Sequence, residues 1–251
     1  MDRKPLHLWF AYPDDLLEAG VAEACSALLS EEERERVARF RFERYRRESL
    51  ATRALMRTAL SSYRPVAPQD WRFRLNAHGK PDPEPECGLR FNLSNSVKLV
   101  VCLVGEGAEV GVDVEPVERA SKILPLAPEV FSAAERKQLG ALDDTAKLDR
   151  ALSLWTLKES YIKARGMGLA LPLDKFSFLF GGEEGIRLEI DPSLGDKAER
   201  WRFSQLDHAG HRIAAMVERG TAGELEVLEA RPLLAPPVLV GIGGVRWYPR
   251  A

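Results

Sequence analysis

The apolar stretch Leu6–Ala11 predicts a strand near the start of the chain. Ser30-Glu31-Glu32-Glu33 then sets a hydroxyl and a carboxylate three residues apart, a capping box that satisfies orphan amides where a helix begins. Val37 and Phe40 share one face of that helix. A second helix is predicted over 46–60, with Leu50, Ala54 and Leu55 apolar, ended by Pro65 and Pro68. Residues 71–75 alternate at period two and predict a strand. His78-Gly79-Lys80-Pro81 reads as a turn, and 82–88, with Pro83 and Pro85, as loop. Strands are expected at 91–93, 99–104 and 109–115. After Pro116 the pattern resets. Ser132-Ala133-Ala134-Glu135 repeats the capping box, a long helix is predicted over 147–165, and Gly166 and Gly168 stop it. Alternating segments at Phe176–Phe180, Ile186–Ile190, 201–206 and 211–217 predict a second sheet.

The halves correspond at an offset of 102 residues: Ser30, Glu33 and Arg34 fall on Ser132, Glu135 and Arg136, and Leu50 and Leu55 on Leu152 and Leu157. Chance and duplication both explain so few matches. The division taken from the sequence is an N-terminal α+β lobe at 1–110, a C-terminal α+β lobe at 111–228 and a wrapping tail at 229–251.

Composition narrows the class. The 251 residues are 45% apolar and 29% charged, enough for a sizeable core and too apolar for a mainly disordered chain. Lys plus Arg is 36 against 38 Asp plus Glu, a net charge of -2, which argues against a nucleic-acid coat. The longest apolar run, 99–104, is far short of a membrane span. Cys25, Cys87 and Cys102 are too few and too widely spaced for a disulfide or zinc framework. A cytoplasmic protein without nucleic-acid or membrane partners is expected.

Several clusters carry candidate chemistry. In Gly111-Val112-Asp113-Val114-Glu115-Pro116 a strand places Asp113 and Glu115 on one face. Paired carboxylates repel unless a cation or proton joins them, and hard oxygen ligands suit magnesium; an ordinary solvent-facing strand end is the alternative. Trp155, Glu159 and Lys163 stand in one helical column. They make either a surface ion pair or a site for metal and phosphate, and the large Trp155 points to partial burial. Ser94, Asn95 and Ser96 form a polar turn or a set of neutral phosphate donors. Arg39, Arg41, Arg44, Arg46, Arg47, Arg53 and Arg57 make a solvated helix face or a phosphate grip. No G-x-S-x-G elbow, Walker loop or dinucleotide fingerprint is present.

Taken in order, these motifs resemble the 4′-phosphopantetheinyl transferases. They are Gly79-Lys80-Pro81, Phe91-Asn92-Leu93-Ser94-Asn95-Ser96, Gly111-Val112-Asp113-Val114-Glu115, Phe131-Ser132-Ala133-Ala134-Glu135 and Trp155-x-x-Lys158-Glu159-Ser160-x-x-Lys163-x-x-Gly166-x-Gly168-Leu169. The similarity is to the two-lobed type that serves surfactin synthetase and comparable assembly lines. It implies an α+β fold of two similar α/β lobes related by a pseudo-twofold axis. It implies a monomeric enzyme that moves the phosphopantetheine arm of coenzyme A to a serine of an apo acyl or peptidyl carrier protein and releases adenosine 3′,5′-bisphosphate. A module that binds coenzyme A or a carrier without turnover is the second reading. The resemblance further implies Asp113, Glu115 and Glu159 around Mg²⁺ or Mn²⁺, with Lys163 and Lys158 on phosphate oxygens. The general base is then Glu159 or Glu135. Lys80 and Pro81 fall by the adenine, and Arg47, Arg53, Ser94 and Asn95 near the 3′-phosphate and pyrophosphate. The chain departs from the family at Asn95, where most members carry histidine in F-N-[IL]-S-H-S. Asparagine donates a hydrogen bond but carries no charge, and charge-assisted bonds are about twice as strong.

Overall fold

Val100 to Val104 are each fully buried, an uninterrupted apolar strand covered on both faces. In the computed structural model it forms an inner strand of one of the two main sheets. The structure describes residues 5–181, 185–220, 223–230, 233–234, 238–240 and 246–248, so much of the tail expected at 229–251 lies outside the described residues. The strands are β1 (Leu6–Ala11), β2 (Arg72–Leu75), β3 (Pro81–Glu84), β4 (Leu89–Asn95), β5 (Val100–Glu106), β6 (Val110–Pro116), β7 (Phe176–Phe180), β8 (Ile186–Ile190), β9 (Trp201–His208), β10 (His211–Glu218), β11 (Glu226–Glu229), β12 (Val238–Leu239) and β13 (Arg246–Tyr248). The helices are α1 (Val21–Ala27), α2 (Glu31–Ala38), α3 (Glu43–Ser61), α4 (Ala120–Ile123), α5 (Ala127–Val130), α6 (Ala133–Gly140) and α7 (Asp144–Arg165). The fold is α+β. Among the described residues no helix is long and apolar enough to cross a membrane.

The chain divides into two compact units. The first holds Met1–Asn76, Pro81–Ala108 and Thr221–Gly243. Its sheet runs β12-β11-β1-β5-β4, with β11 parallel to β1 and β5 antiparallel to it. The amphipathic α3 buries Leu50, Ala54, Leu55 and Leu60 in a core that also holds Trp9, Phe91 and Leu233. The second unit holds Ala77–Lys80, Glu109–Gly220 and Gly244–Ala251, and its sheet runs β13-β9-β10-β6. Its own core gathers Leu152, Leu157 and Tyr161 of α7 with Phe176, Phe178, Trp201 and Phe203.

Both capping boxes form as expected. Ser30 Oγ accepts from Glu33 N at 3.2 Å and Ser132 Oγ from Glu135 N at 3.2 Å. Each box glutamate is also held by a buried base from the long helix that follows: Glu33 by Arg57 at 2.7 Å and Glu135 by Lys158 at 2.8 Å.

Residues 81–84, expected as the end of a turn and the start of a loop, are instead the strand β3. Pro81 and Pro83 stand opposite Leu75 and Phe73 of β2 in a two-stranded ribbon. Prolines at alternate positions turn both missing N–H groups to the same outer edge, where no partner is needed. Helix α3 starts at Glu43 and α7 at Asp144, each three residues before its expected start. The helical segments α1, α4 and α5 carry too little periodicity to be read from sequence.

Candidate active site

Strand β6 and helix α7 build the candidate site in the second unit. Their closest approach is set by Gly111. A Cβ there would lie 2.1 Å from Ser160 O, 2.4 Å from Ala164 N and 2.9 Å from Ala164 Cα. Ser160 and Ala164 lie one turn apart, so small residues on the helix meet the missing side chain on the strand. Asp113 and Glu115 continue the face that Gly111 begins, while Glu159 and Lys163 occupy the neighbouring stripe of α7. At the end of α7, Gly166 takes a left-handed conformation with φ 61° and stops the helix after Arg165.

Asp113 and Glu115 are 4% and 6% exposed, which excludes a solvated strand end. Lys163 Nζ lies 2.7 Å from Asp113 Oδ1. Glu115 Oε1 accepts from Arg119 Nη1 at 2.5 Å and from Trp155 Nε1 at 3.0 Å. Burial, then the neighbouring Asp113 carboxylate, pushes Glu115 above the usual carboxylate range against the pull of Arg119. Glu159 is half-buried and accepts no hydrogen bond from the described residues. Burial raises it too, then Asp113; Lys163 lowers it and Glu115 adds to the rise. Asp113 therefore acts on both of the other carboxylates, as expected of a set of hard oxygens that can share a cation. As the side chains stand, no group of three Asp, Glu, His or Cys among the described residues is gathered as a metal cage. Two of the three carboxylates are turned to basic neighbours of the same unit.

Glu135 and Lys158 occupy a different environment. Glu135 is 0% and Lys158 2% exposed. Glu135 accepts from Ser132 N, Phe178 N and Lys158 Nζ, each at 2.8 Å. Lys158 also donates to Phe176 O at 2.8 Å and lies 4.2 Å from the Phe176 ring centroid. Burial pushes its ammonium below the ordinary lysine value, and Glu135 opposes that shift. The pair ties α6, α7 and β7 together and leaves neither charged head open to solvent. Lys158→Met strands Glu135 as an uncompensated buried charge and is expected to cost about 3–5 kcal/mol of stability. The loss is read as a fall in the urea midpoint, partly recovered in the Lys158→Met, Glu135→Gln double variant. An unchanged midpoint in the single variant would contradict the structural role.

Lys80, also in the second unit, points its ammonium into the fold. It donates to Glu109 Oε2 at 2.8 Å, Ala164 O at 3.0 Å and Val110 O at 3.3 Å. It staples the start of β6 to the end of α7, where the helix dipole favours a cation.

The remaining sequence candidates lie in the first unit. Arg53 is half-buried, with Nη1 3.8 Å from Glu33. Burial lowers its guanidinium, as Arg36 and Arg57 do, against Glu33 and Glu32. Arg47 Nη2 lies 3.7 Å from Asp14. Ser94 is buried at the end of β4, Asn95 beside it is exposed, and the Asn95 amide donates to Glu48. Pro81 is half-buried in β3. Sequence reasoning missed Arg119 as the partner of Glu115, for which the i, i+4 spacing was the available signal. It also missed Asp196, which accepts from Tyr161, Trp201 and Arg165 at 2.7, 2.8 and 2.9 Å.

Comparison with known proteins gives the family of the chain. Residues 109–216 match the 4′-phosphopantetheinyl transferase superfamily, and residues 19–107 match the N-terminal domain of a 4′-phosphopantetheinyl transferase. The transferase HetI of Nostoc is 32% identical over 218 residues, covering 86% of this chain and 88% of its own. Sfp of Bacillus subtilis is 30% identical over 188 residues, covering 75% and 83%. A crystal structure of a holo-(acyl-carrier-protein) synthase from Bacillus anthracis in complex with CoA (3′,5′-ADP) overlays 44% of this chain and 94% of its own, with 18% identity and a TM-score of 0.37. The chain belongs to the 4′-phosphopantetheinyl transferase family. It is a transferase that moves phosphopantetheine from coenzyme A to a carrier protein, and those two are its partners.

Proposed function

We propose that the second unit carries the reaction centre and that Asp113, Glu115 and Glu159 hold a divalent cation, Mg²⁺ or Mn²⁺. The observation that carries this reading is the placement of the three acids in one unit, Asp113 and Glu115 buried on one face of β6 and Glu159 half-buried on α7, with Asp113 raising both of the others. Magnesium keeps waters and takes phosphate oxygens, so it needs few protein ligands and no closed cage. When bound, it supplies charge stabilisation at the pyrophosphate.

The chain's own residues do the rest. Lys163, paired with Asp113 and still part-exposed, neutralises phosphate oxygens. The carrier serine hydroxyl is a poor nucleophile at neutral pH and needs a base. Glu159 is that base in preference to Glu135: its carboxylate accepts no hydrogen bond from the described residues, whereas Glu135 is fully occupied by three donors. The serine oxygen forms a bond to the pantetheine-side phosphorus, the pyrophosphate P–O bond breaks, and adenosine 3′,5′-bisphosphate leaves. The serine proton passes to Glu159.

For coenzyme A itself, Arg53, Ser94, Asn95 and Pro81 serve, while the Lys80 ammonium is engaged elsewhere. Arg47 adds a further phosphate contact. The two-unit plan in one chain supports a monomer. The three free cysteines suit a reducing cytoplasm.

The test mixes the protein with apo carriers from fatty-acid, polyketide and peptide assembly lines, coenzyme A and Mg²⁺, and weighs the carriers by mass spectrometry. A gain of one phosphopantetheine, lost on chelation of the metal, is expected. A gain that persists in EDTA sinks the metal assignment. A second titration addresses Asn95. Asn95→His adds a charge-assisted donor and is expected to tighten coenzyme A binding about fivefold at mildly acid pH; unchanged affinity would retire that contact.

A further inference from the structure

Trp155 belongs to the motif of α7 but has no task in the reaction outlined above. Its indole Nε1 donates to Glu115 Oε1 at 3.0 Å, the oxygen that Arg119 Nη1 reaches at 2.5 Å. The Arg119 guanidinium lies 5.9 Å from the centroid of the Trp155 ring, so the two donors also brace each other. Glu115 is thus gripped by one oxygen. Its Oε2 accepts no hydrogen bond from the described residues. Trp155 stands one helical turn before Glu159, so α7 presents the indole and that carboxylate on one stripe.

Carboxylates that ligate metals are oriented by such outer donors, and loss of one typically costs about tenfold to a hundredfold in metal affinity. We propose that Trp155, seconded by Arg119, is a positioning residue that holds Glu115 by Oε1 and leaves Oε2 as the oxygen offered to the divalent cation. This inference rests on the metal assignment made above. Arg119 carries a charge that itself repels a cation, whereas the indole is neutral. The indole therefore gives the cleaner test.

Trp155→Phe keeps the ring and removes the N–H. The wild type and the variant are titrated with Mn²⁺ at saturating coenzyme A without carrier, and free Mn²⁺ is read by electron paramagnetic resonance. The dissociation constant is expected to rise about 10- to 100-fold in the variant. In turnover, KM for Mg²⁺ is expected to rise while KM for coenzyme A stays within about twofold, a split that general loosening of the fold would not give. Equal Mn²⁺ affinity in wild type and folded variant overturns the role of Trp155 and leaves the metal assignment standing. No Mn²⁺ binding by the wild type overturns both. If the variant does not fold, the wild type labelled with ¹⁵N at its indoles decides: one indole N–H signal is expected to shift on adding Mg²⁺ and to broaden first on adding Mn²⁺. Failure of every indole signal to respond to either ion overturns the proposal.

Discussion

Asp113→Asn is expected to lower the rate of phosphopantetheine transfer by about a thousandfold or more while the protein stays folded. Metal-supplied charge stabilisation is worth several kcal/mol, and each 1.36 kcal/mol is about a factor of ten in rate. Asparagine matches aspartate in shape and can still accept from Lys163, which lies 2.7 Å from the native carboxylate. The freed ammonium is part-exposed and can be solvated, so the melting temperature should fall by only a few degrees. The measurement pairs single-turnover mass spectrometry of the carrier with a thermal melt. Transfer within tenfold of wild type in a folded variant would remove Asp113 from the reaction centre.

Gly111→Ala is expected to be as severe for a different reason. The added methyl would sit 2.1 Å from Ser160 O and 2.4 Å from Ala164 N. Both are backbone atoms of α7, so no side chain can swing aside. Strand and helix must part by more than an ångström. Overpacking in a core commonly costs about 1–3 kcal/mol, and a clash with backbone belongs at or beyond the upper end. The same displacement carries Asp113 and Glu115 away from Glu159 and Lys163, so activity falls with stability. Urea unfolding and transfer assays on the variant check both effects. A stable variant with wild-type activity would show that this contact does not set the site.

These expectations draw unevenly on sequence and structure. The capping boxes at Ser30 and Ser132, the alternation of Asp113 with Glu115 and the column Trp155, Glu159, Lys163 follow from local periodicity, and local periodicity is visible in a sequence. Glu135 and Lys158 stand in the same motifs, yet their burial against Phe176 and Phe178 depends on β7, a strand well downstream in the chain. Lys80 sits in a turn that reads as exposed, and only the folded chain turns its ammonium onto the carbonyl of Ala164. The prolines of 81–84 argue for loop unless the neighbouring ribbon is known. Gly111 is legible as a glycine within a strand, but its close approach to the predicted helix is not. What escaped is tertiary in each case.

The parallel pairing of β11 with β1 has a consequence for biogenesis. His7 to Phe10 of β1 lie beside Glu226 to Glu229, with Ala230 and Leu233 buried in the same core as Trp9. A nascent chain leaving the ribosome therefore carries β1 with one side bare until the second unit has been synthesised. An open strand edge is a template for association with other chains. Strand β1 emerges long before β11 and is thus among the last to be sealed, which makes the interval before residue 229 is translated the period of greatest exposure to misassembly and to chaperones.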